Sequence, residues 1–156
     1  MPGSNPVRPR RRRRKAAFNP LTCDTTGAVL GGTSVIQLAR NFPSFPLANT
    51  WYPVALANKL EGTDLSASQN DMQIQFNSNL DVNDPACLGD TKWYYGFDAN
   101  EGTDLDMLST VLHAIAHGLG FTVQIANLST GAFPTSNPGG ASPTLYSRFL
   151  VDNTTG

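Results

Sequence analysis

Two periodic stretches organise this chain. Between positions 105 and 119, Leu105, Leu108, Leu112, Ile115 and Leu119 recur at helical intervals with Val111 and Ala116 flanking them, a pattern that predicts an amphipathic helix burying a leucine stripe. Thr103 and Asp104 are the expected N-cap residues, Thr103 and Asp106 stand at capping-box spacing, and carboxylates at 104 and 106 suit the positive helix end. At 71–76 the chain reads Asp-Met-Gln-Ile-Gln-Phe, alternating apolar and polar residues, which predicts a half-buried strand. The rest is loop-rich. Residues 41–46 form a Pro/aromatic turn segment, 51–56 an extended apolar stretch, 93–97 a short aromatic strand whose rings pack in the core, and 130–143 a Gly/Pro/Ser-rich loop that leads into 145–152. Glu-Gly-Thr-Asp-Leu occurs at 61 and again at 101, and both copies read as turn-to-helix starts rather than as a repeat.

The chemistry sits on the predicted helix. Residues 111–121 are Val-Leu-His-Ala-Ile-Ala-His-Gly-Leu-Gly-Phe and hold the chain's two histidines, His113 and His117. A spacing of four puts both imidazoles on one helix face, one turn apart, where they can share a metal ion. They lie off the densest part of the apolar stripe, as ligands facing a cleft would. The competing reading is two packed or capping histidines on an apolar helix.

The segment resembles the zinc-binding helix of the zincin metallopeptidases, His-Glu-x-x-His, in the extended His-Glu-x-x-His-Gly-Leu-Gly-Phe form of secreted bacterial proteins. Trp-Tyr-Pro-Val-Ala-Leu-Ala at 51–57, Phe-Asn-Ser at 76–78 and Trp-Tyr-Tyr-Gly at 93–96 are similar to the same proteins, so the resemblance spans about 18–156. It implies an α+β class: a zincin-like single domain, with a small twisted sheet packed on a metal-binding active-site helix and long loops. It also implies a Zn²⁺ cofactor, held by two histidines and a third ligand, that activates a water for attack on a peptide carbonyl. In the family the glutamate after the first histidine is the general base. Here that position is Ala114, which cannot take a proton.

In the long form of the motif a third histidine stands six residues after the second, where this chain has Val123. The only carboxylate downstream is Asp152, with Tyr146 a weaker oxygen donor, so Asp152 is the expected third ligand unless the ligand lies beyond Gly156. The strand at 71–76 resembles the zincin edge strand that lines the cleft and pairs with substrate through main-chain groups, which makes Met72 and Ile74 the expected substrate-binding residues. Ordinary sheet pairing is the alternative. Cys23 and Cys87 are an even pair in a domain that looks secreted, so a disulfide is expected, against two buried free thiols.

Composition adds a division. The formal charge is −1, yet seven of the eleven basic residues fall within 8–15, leaving four basic against twelve acidic residues from Ala16 onward, a net −8. The body is therefore unsuited to polyanions, and no nucleic acid is expected on it. Residues 1–15 combine five Pro, Gly or Ser in the first nine positions with the basic block. They read as a disordered tail: a vector-derived extension, a processing segment before Ala16, or a nucleic-acid or import arm. The domain is then 16–156, with its C-terminal closure open. No apolar run suits a signal peptide or a membrane span, and the secreted assignment rests on the resemblance.

Two function classes follow. One is a zinc endopeptidase domain acting on peptide or protein substrates, disabled by Ala114. The other is a non-catalytic binding or structural domain that keeps the same fold.

Overall fold

The computed structural model describes residues 14–82, 84–123 and 142–150. They build a small mixed fold with two α-helices and three small sheets. The largest sheet has three strands in the order β1-β5-β2: β1 is Arg14–Asn19, β2 Gly31–Val35 and β5 Met72–Asn77. β5 runs parallel to β1 and antiparallel to β2. The alternation at 71–76 is realised directly. Met72, Ile74 and Phe76 are buried on one face while Gln73 is exposed on the other.

That placement corrects the substrate-strand expectation. β5 is the middle strand, both its edges are paired, and Met72 and Ile74 are only 0% and 5% exposed. A strand so flanked has no free main-chain groups to offer a peptide. The domain boundary also shifts, because Arg14 and Lys15 of the basic block pair with Met72 and Gln73 as the start of β1.

The remaining elements are short. β3 (Leu38–Ala39) and β4 (Tyr52–Pro53) form an antiparallel pair, and helix α1 (Val54–Glu61) follows at once, burying Val54, Ala55 and Ala57. The apolar stretch at 51–56 is thus half strand and half helix. α1 stops at Gly62, whose φ of 71° supplies the left-handed turn. The first Glu-Gly-Thr-Asp-Leu therefore ends a helix instead of starting one. β6 (Trp93–Tyr94) pairs in parallel with β7 (Leu105–Asp106), which runs directly into helix α2 (Met107–Gly118). Only Trp93 of the aromatic segment enters the core, where its indole N–H donates to the Asn77 carbonyl at 2.8 Å; Tyr95 and Phe97 are exposed.

The core gathers Ala55, Met72, Ile74, Phe76, Leu80, Cys87, Trp93, Met107 and Ala114. Cys23 and Cys87 are joined in a disulfide that closes a separation of 64 residues. By the chain-entropy argument such a loop stabilises by about 4 kcal/mol. It fastens the β1–β2 connection to the segment before β6. Asn77, fully buried, accepts from Leu21 and Asn79 main-chain N–H groups and donates to the Val29 carbonyl, fixing the same connection from the sheet side.

Candidate metal centre

Helix α2 begins one residue after Asp106, whose carboxylate accepts from the Leu108 and Ser109 N–H groups at 3.1 Å each. Asp106 is thus the cap in place of Thr103 or Asp104. The Ser109 hydroxyl is the main influence holding the Asp106 carboxyl below its usual range. The face turned to the sheet is Met107, Ala114 and Gly118, with Val111 and Ile115 partly covered. The expected stripe is buried only in part: Leu105 and Ile115 pack against the core, while Leu108 is 40% exposed, Leu112 58% and Leu119 36%. Small residues win this face because α2 sits very close to β2 and β5. A Cβ at Gly118 would stand 2.5 Å from the Met72 Sδ and 3.2 Å from the Thr33 Cγ2, so a larger side chain there requires the buried Met72 side chain to move.

The histidines project on another side of α2. The His113 and His117 Nε2 atoms are 2.9 Å apart, with their rings nearly perpendicular at 85°. His117 Nδ1 lies 2.6 Å from the Phe121 carbonyl oxygen. A carbonyl only accepts, so in the neutral ring Nδ1 carries the hydrogen, and the His117 Nε2 lone pair accepts from the His113 Nε2–H. Metal-ligating histidines are commonly oriented in this way.

Three residues of the Gly-Leu-Gly-Phe exit, Gly118, Gly120 and Phe121, have a physical role. Gly118 permits the close approach to Met72. Gly120, at φ 109°, makes the turn: its N–H bonds the His117 carbonyl at 3.0 Å, and the Phe121 N–H bonds the Ala116 carbonyl at 3.0 Å. This paired closure is that of a glycine-terminated helix. The turn carries the Phe121 carbonyl back onto the His117 ring. Phe121 closes the motif, and Thr122, whose hydroxyl is 3.3 Å from His117 Nδ1, follows it directly. The motif extension was their only signal.

The donor pair suits a tetrahedral ion. Zinc–nitrogen bonds of about 2.0–2.1 Å place two imidazole nitrogens about 3.3 Å apart, so the 2.9 Å pair needs only a small opening. Among the described residues no group of three His, Cys, Asp or Glu side chains comes together around a possible metal position. Asp152 lies outside the described residues. Tyr146 is within them, its ring packed on Phe121 at 4.6 Å between centroids, so segment 142–150 lies beside the helix exit. Val123 is exposed.

Ala114 is 5% exposed, at the border between the core and a cleft of about 590 Å³. One wall of this cleft is helix α2, with Ser109, Thr110, His113, Ala114 and His117; the other is Leu30, Gly31, Gly32 and Thr33 of β2 and its approach. β2, rather than β5, therefore borders the histidines. Its outer edge has no partner strand among the described residues. The Asn77 N–H bonds the Leu30 carbonyl at 2.9 Å, and antiparallel pairing alternates from there. Gly32 and Ser34 thus bond β5, while Gly31, Thr33 and Val35 turn their main-chain groups outward.

No family model, curated protein or solved structure matches the chain.

Proposed function

We propose that this chain is a zincin-type metallopeptidase domain in which His113 and His117 hold Zn²⁺ and Ala114 stands in the general-base position, so that it binds extended peptides and cleaves them poorly or not at all. The observation that carries this reading is the convergence of the two Nε2 atoms at 2.9 Å with the His117 tautomer set by the Phe121 carbonyl. A zinc ion there supplies Lewis acidity that activates a water and polarises a peptide carbonyl. The chain's own groups do the rest. The outward N–H and C=O groups of Gly31, Thr33 and Val35 accept an extended peptide by strand addition. Ala114, on the wall between that strand and the histidines, leaves no carboxylate to move a proton. Asp152 remains the proposed third ligand.

The alternative of a non-catalytic peptide-binding domain is favoured by Ala114 itself. Both readings share the metal and the docking edge, and they differ in whether turnover returns with a carboxylate at 114. An extracellular setting suits the Cys23–Cys87 disulfide, and no described helix is long and apolar enough to cross a membrane. Peptide or protein is the proposed partner, since a body of net −8 repels nucleic acid. Metal analysis after zinc loading is the direct test: about one zinc per chain is expected, with loss in His113→Ala and in His117→Ala. Equal zinc in all three proteins overturns the proposal.

A further inference from the structure

A carbonyl that fixes a histidine must itself be fixed. The Phe121 carbonyl, 2.6 Å from His117 Nδ1, lies past the end of α2 and directly after Gly120 at φ 109°. Glycine lets the main chain turn in more than one way, so contacts around the turn decide where the carbonyl points. A competitor stands beside it. The Thr122 hydroxyl, 3.3 Å from the same nitrogen, can donate as well as accept. A hydrogen bond donated by Thr122 to Nδ1 would leave the ring hydrogen on Nε2, where no cation can then bind.

A ring pair holds the carbonyl side of this choice. Gly120 packs against Pro53, where an added Cβ would stand 2.9 Å from the ring Cγ, and the Phe121 N–H bonds the Ala116 carbonyl. Beyond these main-chain contacts Phe121 is 64% exposed, and its ring lies on that of Tyr146, with 4.6 Å between centroids and 35° between planes. Tyr146 is a firm partner. Thr144 bridges Trp51, with the Trp51 N–H on the Pro143 carbonyl and the Leu145 N–H on the Trp51 carbonyl at 2.9 Å each. The buried Thr144 and Ser147 hydroxyls meet at 2.9 Å, and Arg148 Nη1 donates to the buried Thr50 hydroxyl at 3.1 Å. These bonds tie 143–148 to the residues that enter β4, the strand that Gly120 touches. The α2 exit and this segment face each other across a second cavity of about 320 Å³, lined by Gly120, Thr122 and Thr144 and sharing Thr33 and His117 with the first.

We infer that Tyr146 is a positioning residue for His117: its ring holds the Phe121 ring, and thereby keeps the Phe121 carbonyl rather than the Thr122 hydroxyl on His117 Nδ1. The role belongs to the ring and not to the phenol oxygen. The inference deepens the proposed metal centre and rests on it for metal affinity, while its first readout, the tautomer, needs no metal.

The test uses the full chain labelled with ¹⁵N-histidine, free of metal, at about pH 8.5, well above the ordinary histidine value of about 6.5. Two-bond proton–nitrogen spectra should place the His117 hydrogen on Nδ1 in the parent and in Tyr146→Phe. Tyr146→Ala and Phe121→Ala should each move a large share of it to Nε2. Phe121→Ala keeps the carbonyl and removes only a largely exposed ring, so it serves as the second variant should Tyr146→Ala not fold. Zinc affinity, read by competition with a chromophoric chelator, should fall by about ten-fold in both alanine variants and stay at the parent level in Tyr146→Phe. A parent ring protonated on Nε2, or a tautomer unchanged in both alanine variants, overturns the inference. A loss in Tyr146→Phe equal to that in Tyr146→Ala also overturns it, by placing the role on the hydroxyl. A parent chain that binds no zinc overturns the metal centre and leaves the tautomer comparison to decide the role of Tyr146.

Discussion

The Thr33 hydroxyl donates to the Ala114 carbonyl at 2.8 Å, a bond between residues 81 positions apart. It joins β2, whose outer edge has no partner strand among the described residues, to the helix position where the zincin motif carries its glutamate. Thr33 also lines both cavities. The distance from β2 to the histidine pair is therefore set by a strand-to-helix bond and by the bare Gly118 surface beneath it.

Removing that hydroxyl separates anchoring from packing. Thr33→Val keeps the shape of the side chain and should lower stability by about 1 kcal/mol, read by urea unfolding. Thr33→Ser keeps the donor and should recover most of the loss. Zinc content should stay the same in both, since neither alters His113 or His117.

Ala114→Glu tests the catalytic half of the proposal. A positioned acid/base contributes about 10²–10⁴ in rate, so cleavage of casein by the zinc-loaded variant should rise by that order over the parent and vanish with chelator. Strong chelator-sensitive cleavage by the Ala114 form itself would place the base elsewhere.

The disulfide gives a prediction independent of function. Alkylation without reductant should modify neither cysteine, and after reduction both. Replacing Cys23 and Cys87 together by Ala should cost about 4 kcal/mol, seen as a lower urea midpoint.

Tyr95 titrates late. Partial burial, followed by its 2.7 Å bond to Asp81, pushes its phenol up to about 12. A folded value above the unfolded one of about 10 means that the associated stability is complete below about pH 10 and is lost as pH rises toward 12. Absorbance titration near 295 nm should show one late phenol that disappears in Tyr95→Phe, and Asp81→Asn should bring it earlier.

Particular residues show what the sequence disclosed. β5 was legible because Met72, Ile74 and Phe76 alternate with glutamines, and the histidine face because four-residue spacing fixes direction on any helix. The disulfide was legible from two cysteines in a secreted-looking domain. β2 was silent: Gly31, Gly32, Thr33 and Ser34 carry no alternation, and their strand state comes from pairing with β5. That silence hid β2 as the strand that borders the histidines. The leucine stripe misled because periodicity reports which residues are apolar and not how near the sheet stands. With Gly118 against Met72, the contact face went to Ala114 and Gly118, and Leu108 and Leu112 were left outside. The twin pentapeptides differ by context alone. Gly62 and Gly102 both adopt positive φ, yet one follows a helix and the other precedes a two-residue strand.

The Phe121 carbonyl makes the two histidines unequal partners. His117 is held by the main chain and would give up little rotational freedom as a ligand of the proposed ion, while His113 has no main-chain anchor among the described residues. The ordering entropy of the proposed coordination would therefore fall mainly on His113. At the proposed zinc site an incoming ion would meet a fixed first contact and a second that swings in, so capture and release would be governed by His113, and the strength of the first encounter by a turn of backbone four residues beyond His117.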